Sequence, residues 1–317
     1  MISQDQANFV AEHFNIFEHN WSFYEDVLGE SCLLGDILAY CDGAGIYLPA
    51  FSLRSSGYEF TAGEIAHFVE QAFQHFSQVQ PTRFIDVWGQ FCDLPPVYRS
   101  QDGRQYTLYV QTAYQKESFD SIFDLLVFDQ ETPPSARKRL RALKNKDIQT
   151  TIRKTRGFSY EHFAIIESWL HDHASVVSSI HREFLYALRS YVNKGEAFFC
   201  EARSQNKLVG LSIISVIGHE RMAILNTFPS RIPGLRVGDA LFAEAIKFAR
   251  QNGIRWIHYG YSVNKSLLST KESWGATGRS SSFRESFYVL DNDKEAAETA
   301  LKGRTLWRLR LSDLTAT

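Results

Sequence analysis

The sequence has no paired cysteines, no long apolar run and no excess of either charge, and each absence removes a class of protein. Its four cysteines, Cys32, Cys41, Cys92 and Cys200, stand far apart with no CxxC spacing. Zinc clusters and disulfide scaffolds need closer sets, so four buried thiols and no metal are expected. No segment approaches the ~18 consecutive apolar residues of a membrane helix. The opening MISQDQANFVAEHF also lacks the basic start and apolar stretch of an export signal. A cytoplasmic protein without an integral membrane segment is predicted. A net charge of -2 and a pI near 6.6 give no global sign of a nucleic-acid or membrane protein and leave only a local patch to bind either. GxSxG, HExxH, GxxxxGK[ST] and GxGxxG are all missing, so hydrolase, zinc protease, NTPase and dehydrogenase readings lose their usual signatures.

What is present is a chain of 317 residues, 44% hydrophobic, enough for one large domain or two ordinary ones. Alternating segments around Leu34–Tyr40 and Ile46–Phe51 flank Asp42-Gly43-Ala44-Gly45, the turn chemistry of a β-hairpin. Thr61 is placed to cap a helix whose apolar residues Ile65, Phe68, Val69, Ala72, Phe73 and Phe76 share one face. Strands are expected at Arg83–Phe91 and Gln105–Ala113.

The same order returns later. Strands are read at Ala197–Glu201, Leu208–Val216 and Met222–Phe228, then a helix with Leu241, Phe242, Ala245, Ile246 and Ala249 on its apolar face. Asn252-Gly253 ends that helix and Arg255–Tyr261 forms the next strand. Helices at Ser159–His173 and Ile180–Asn193 should pack on this second sheet. A strand at Phe283–Leu290, a short helix at Lys294–Leu301 and an extended tail at Thr305–Leu311 complete the reading.

Strand, loop, helix and strand therefore occur twice, as YLPAF with GEIAHFVEQAFQHF and FIDVWG, and as ILNTF with GDALFAEAIKFARQNG and WIHYG. An α/β chain with mixed sheets and two tandem domains is expected. Between the copies, Arg137–Arg156 carries nine Lys or Arg against one acid, Asp147. The stretch reads as a solvated linker helix or as a phosphate-facing surface. Its candidate phosphate contacts are Arg137, Lys138, Arg139 and Arg141. The expected division is 1–132 for an acceptor-side domain, 133–157 for a basic connector and 158–317 for a donor-site domain.

The richest stretch is Arg231–Gly278. Gly234 and Gly238 allow the loop to turn backbone N–H groups toward an anion, and the helix starting near Gly238 adds the positive end of its dipole. The loop Arg231-Ile232-Pro233-Gly234-Leu235-Arg236-Val237-Gly238 resembles the R/Q-x-x-G-x-G/A pyrophosphate loop of the GNAT superfamily, with Arg236 where a second small residue is usual. That arginine either fills space coenzyme A would use or pairs with phosphate. G-D-x-L at Gly238–Leu241, HYGYS, Leu267-Leu268, Lys271 and WGA at Trp274–Ala276 resemble the C-terminal half of FemABX-type transferases. They are also similar to the synthase domain that transfers lysine to phosphatidylglycerol. In the first half, QYTLYVQTAYQKESFDSIFDLL and ARKRLRALKNK are similar to the segment that joins FemAB-like halves. The likeness covers most of 30–290 and is strongest from about 228 to 280.

The resemblance implies two tandem GNAT-like domains and the transfer of an amino acid from aminoacyl-tRNA to an amine or hydroxyl of a small molecule, peptide or lipid precursor. No tightly bound cofactor is implied. A donor of acyl-CoA is the alternative, and a non-catalytic binding module the third reading. By the same likeness Lys271, in a turn, holds phosphate or the developing oxyanion, while Thr270 stands where an aromatic residue is frequent. Of Tyr259 and Tyr261 at the strand end, one should face the cleft and the other the helix layer, and Tyr261 is the preferred general acid. Asp239, His258 and Glu272 are candidate bases, each with an ordinary structural alternative. Ser262 and Asn264 orient the acceptor or cap the loop. Trp274 is a core aromatic beneath the turn or a stacking surface for substrate.

Overall fold

The structure, a computed structural model, describes residues 3–13, 20, 24–25, 28–54, 58–76, 83–144, 146–172, 185, 188–261, 265–291 and 293. At 110–120, 260–261, 265–266, 278–283 and 285 it describes the backbone alone. The chain divides into one unit of Met1–Glu117 with Ser280–Thr317 and a second of Ser118–Arg279.

The first unit opens with α1 (Gln4–Glu12), capped by Ser3 and Gln6. Its sheet runs β1 (Glu30–Leu34), β2 (Ile37–Cys41), β3 (Gly45–Ala50), β4 (Phe84–Gly89) and then part of β12 (Thr277–Leu290). The expected hairpin turn forms as read, with the Asp42 carboxylate accepting the N–H groups of Ala44 and Gly45 at 3.0 and 2.9 Å. β3 and β4 are parallel, joined by α2 (Ala62–His75), and pair along their whole length from Gly45–Phe84 to Ala50–Gly89. Thr61 and Glu64 form the capping box of α2. Ile65, Phe68, Val69, Ala72 and Phe73 of that helix are buried against the sheet. β5 (Val97–Arg99) pairs with the start of β6 (Gln105–Asp124), a strand longer than its expected Gln105–Ala113.

In the second unit the order is the end of β6, β11 (Trp256–Tyr261), β10 (Arg221–Pro229), β9 (Lys207–Ile217), β8 (Ala197–Ser204) and β7 (Gln149–Lys154). Only β10 and β11 are parallel, and α6 (Val237–Gln251) joins them. The strand–helix–strand unit read twice in the sequence is therefore present twice, with its two strands parallel in each copy.

One face of this sheet carries α6, with Val237, Leu241, Phe242, Ala245, Ile246 and Ala249 in a core that α3 (Leu125–Gln130) and α4 (Pro134–Leu143) also enter. Gly210 of β9 lets α6 lie close, since a Cβ there would stand 2.4 Å from Val237 Cγ1. On the opposite face lie α5 (Tyr160–Asp172) and helical residues 188–193.

Four expectations change. The connector expected at 133–157 is part of the second unit, because Ala136, Leu140 and Ile152 supply apolar side chains to its core and β7 pairs with β8. The boundaries expected at 132 and 157 give way to 117/118 and 279/280, with β12 from Ser280 onward returning to the first unit. Cys92 is exposed, unlike the other three cysteines, because it follows the last bridge residue Phe91 into a loop. Lys271 sits on a helix, α7 (Lys265–Trp274), rather than in a turn. No glycine or proline interrupts 265–274, and Gly275, with φ +100°, ends the helix. Expected elements at Lys294–Leu301 and Thr305–Leu311 lie outside the described residues.

Candidate functional site

β10 and β11 start side by side and then part. Backbone pairing joins Arg221–Ala223 to Trp256–His258, yet β10 runs on to Pro229 and β11 to Tyr261. The register of β10 on β9 slips between Ile224 and Asn226, a bulge that bends the strand. β11 slips against β6 between His258 and Tyr261. Two parallel strand ends are thus left unzipped.

The loop leaving β10 is shaped by its own turn residues. Leu235 N–H donates to Ile232 C=O at 3.1 Å, with Pro233 and Gly234 between them and Gly234 at φ +78°, the pattern of a type II turn. Along the loop lies an open depression of about 510 Å3, lined by Ser230, Arg231, Leu235, Arg236, Gly238 and Asp239 among others. The N-cap of α6 is Arg236, whose side chain makes no capping bond. The first N–H groups of a helix have no acceptor within it, so an external anion is favoured here. At Gly238 an added Cβ would meet nothing closer than Pro229 at 3.9 Å, so packing does not require this glycine. Its bareness keeps the backbone approachable.

Asp239, in the first turn of α6, joins three helices of the site. Its carboxylate, 10% exposed, accepts from Arg139 Nη1 on α4 at 2.7 Å, from Trp274 Nε1 on α7 at 3.1 Å and from Arg236 Nη1 at 3.2 Å. Both oxygens of this carboxylate are already engaged, by two guanidinium groups and an indole N–H, the arrangement of an anchor between helices. Trp274 is fully buried and packs edge-on to Phe242 with ring centroids 5.0 Å apart, which leaves no face for substrate. Trp274 therefore lies in the core of the second unit, the first of the two positions the sequence left open for it.

Lys271 is 3% exposed, far from the surface lysine that its type predicts. Its Nζ lies 5.3 Å from the ring centre of Tyr259, a cation–π distance. Tyr259 stacks on Phe242 at 4.2 Å and 14°, so it faces the helix layer. Burial pushes its phenol pKa up, with Asp239 adding to the rise, so the hydroxyl keeps its proton at neutral pH. The side chain of Tyr261, and Ser262 and Asn264 altogether, lie outside the described residues. His258 is buried on β11, and Glu272 is exposed on α7.

Of the basic run, Arg137, Lys138 and Arg141 are exposed on α4, while Arg139 turns inward to Asp239. Because α4 packs against both α6 and α7, these cations belong to the same end of the second unit as Gly238 and Lys271. The Arg139–Asp239–Trp274 network escaped the sequence reading. Its one signal there was Trp274, since a buried indole N–H demands an acceptor.

Another polar cluster occupies the opposite sheet face. His162 Nδ1 accepts the Ser159 N–H at 2.9 Å and lies 3.0 Å from its hydroxyl, and Nε2 lies 3.1 Å from buried Glu201. The spacing imitates a serine relay. With Nδ1 already accepting a backbone N–H, it is instead the cap of α5, and burial holds the His162 pKa below its ordinary value. Arg153 and Arg203 also bind Glu201, at 2.6 and 3.2 Å. Among the described residues no group of three His, Cys, Asp or Glu is placed to hold a metal, and no helix is long and apolar enough to cross a membrane.

By sequence, the chain matches no protein-family model and no curated protein. By structure it is similar to FemX, with a TM-score of 0.55 at 10% identity over 93% of this chain and 97% of that one. A conserved protein of unknown function from Bacteroides thetaiotaomicron VPI-5482 aligns with a TM-score of 0.53 at 10% identity, covering 90% and 93%. L-PGS from Bacillus licheniformis aligns at 0.48 and 12% identity, covering 97% of each chain. The chain has a FemX-like fold, the fold that the motifs of Arg231–Gly278 resembled.

Proposed function

We propose that this chain is an acyltransferase that takes an aminoacyl group from aminoacyl-tRNA and forms an amide or ester on a small-molecule, peptide or lipid-precursor acceptor. The carrying observation is the unzipped end of β10 and β11 beside the uncapped start of α6. Acyl transfer needs an anchored donor, an oxyanion held in the transition state and a proton path to the leaving group. Backbone groups around Gly234 and Gly238, with Arg231 and Arg236, would hold the donor's phosphate. Arg137, Lys138 and Arg141 extend positive charge past one diphosphate, which suits a polynucleotide backbone.

In this reading buried Lys271 supplies positive charge to the oxyanion as it forms. Tyr261 protonates the leaving oxygen, and Ser262 and Asn264 orient the acceptor. Asp239 holds α4, α6 and α7 together rather than taking a proton. The test is incubation with charged tRNA: salt-sensitive association and acceptor-dependent loss of the aminoacyl group are expected. Neither being seen would refute the reading.

An acyl-CoA donor is the second reading, favoured by the type II turn at Pro233-Gly234 and the open depression beside it. Acceptor-dependent release of free thiol from acyl-CoA would select it.

A further inference from the structure

Two arginines converge on the single carboxylate of Asp239, and they are held unequally. Arg139 approaches at 2.7 Å from a half-buried position on α4, whereas Arg236 approaches at 3.2 Å with 42% of its side chain exposed. Trp274 Nε1 already shares Oδ1 with Arg139, so that oxygen stays satisfied if Arg236 leaves Oδ2. Arg236 is also the N-cap of α6 and lines the open depression with Gly238. Its guanidinium therefore has two competing anionic partners within reach: the fixed carboxylate, and any phosphate seated on the loop.

We propose that Arg236 is a specificity-determining arginine held in reserve by Asp239, and that the phosphate-bearing end of the donor draws it away while Arg139 and Trp274 keep Asp239 in place. This rests on Arg231–Gly238 being the donor site. The exchange replaces one charge-assisted hydrogen bond with another, so it proceeds when the incoming group carries more charge than a carboxylate. A diphosphate, or two adjacent phosphodiesters of one strand acting together, that also reaches the α6 N-terminus meets that condition, and a neutral or singly charged acyl compound does not. The pair thus rejects weak anions, because binding them leaves Arg236 on Asp239.

Inorganic pyrophosphate is the probe. Calorimetric titration of Asp239→Asn should show binding about five- to tenfold tighter than the native protein, since Arg236 no longer has to be removed from its partner. Arg236→Gln should weaken it about tenfold, and the double variant should match Arg236→Gln alone. An equal gain from Asp239→Asn in both backgrounds would be a general field effect and would overturn the proposal. Because Asp239→Asn removes an anchor of three helices, side-chain nitrogen NMR on the native protein supplies an independent reading. Pyrophosphate should shift the Arg236 guanidinium signal and leave Arg139 unchanged. Saturable binding with Arg236 still on Asp239 would end the reserve role while the donor site stood. No pyrophosphate binding by any form would remove the donor site itself.

Discussion

The two strand–helix–strand copies follow one plan and end differently. In the first, β3 and β4 pair to their last residues, and pairing continues past them. Gln90 N–H donates to Ala50 C=O at 3.0 Å, and Phe60, bridged to Phe91, donates to Gln90 C=O at 2.8 Å. In the second, β10 and β11 part after three residues. The helix starts differ in the same sense. Thr61 and Glu64 satisfy N–H groups at the start of α2, whereas Arg236 caps nothing with its side chain. A duplicated unit becomes a site where the backbone's own hydrogen bonds are withheld, because unspent donors are what an anion requires.

Four substitutions break or sharpen this contrast. Gly89 closes the first copy at φ +144°, with a hypothetical Cβ 2.2 Å from Ala50 O. Gly89→Val should lower stability by about 3 kcal/mol or more in denaturant unfolding, and an unchanged midpoint would mean the first copy is not sealed there. Lys271→Met should reduce transfer about 100-fold while moving the unfolding midpoint far less, since the substitution keeps the volume of the buried stem. Equal losses of rate and fold would demote Lys271 to scaffolding. Arg236→Ser, which gives α6 the cap that α2 has, should add about 1 kcal/mol of stability and weaken pyrophosphate binding. A stabilised protein with undiminished binding would show that capping and anion binding do not compete. Thr61→Ala should cost about 1 kcal/mol and create no pyrophosphate site in the first copy, because the Phe60–Gln90 seam remains.

The plan of both copies was legible because each helix has an apolar face at regular spacing and each turn has its own chemistry, as at Asp42–Gly45 and Thr61. The loop was legible too, since Pro233-Gly234 and Gly238 are local signals. Lys271 was singled out by motif, but its helix was missed because a ten-residue segment gives a weak periodic signal. The role of Asp239 depends on partners 35 and 100 residues away in sequence, which no local pattern encodes. The boundaries failed for a similar reason: nothing near Phe84 announces that its neighbouring strand lies beyond residue 280.

That last pairing bears on how the chain is made. The second unit is continuous in sequence, but β4 of the first has its partner in Arg284–Val289. Synthesis runs from the N-terminus, and domains ordinarily fold in that order. Here β4 is made before the second unit and stays an open sheet edge until Arg284–Val289 leaves the ribosome. A long delay between those events, with loop closure over so many residues, makes the first unit the part of this protein most exposed to misassembly during its birth.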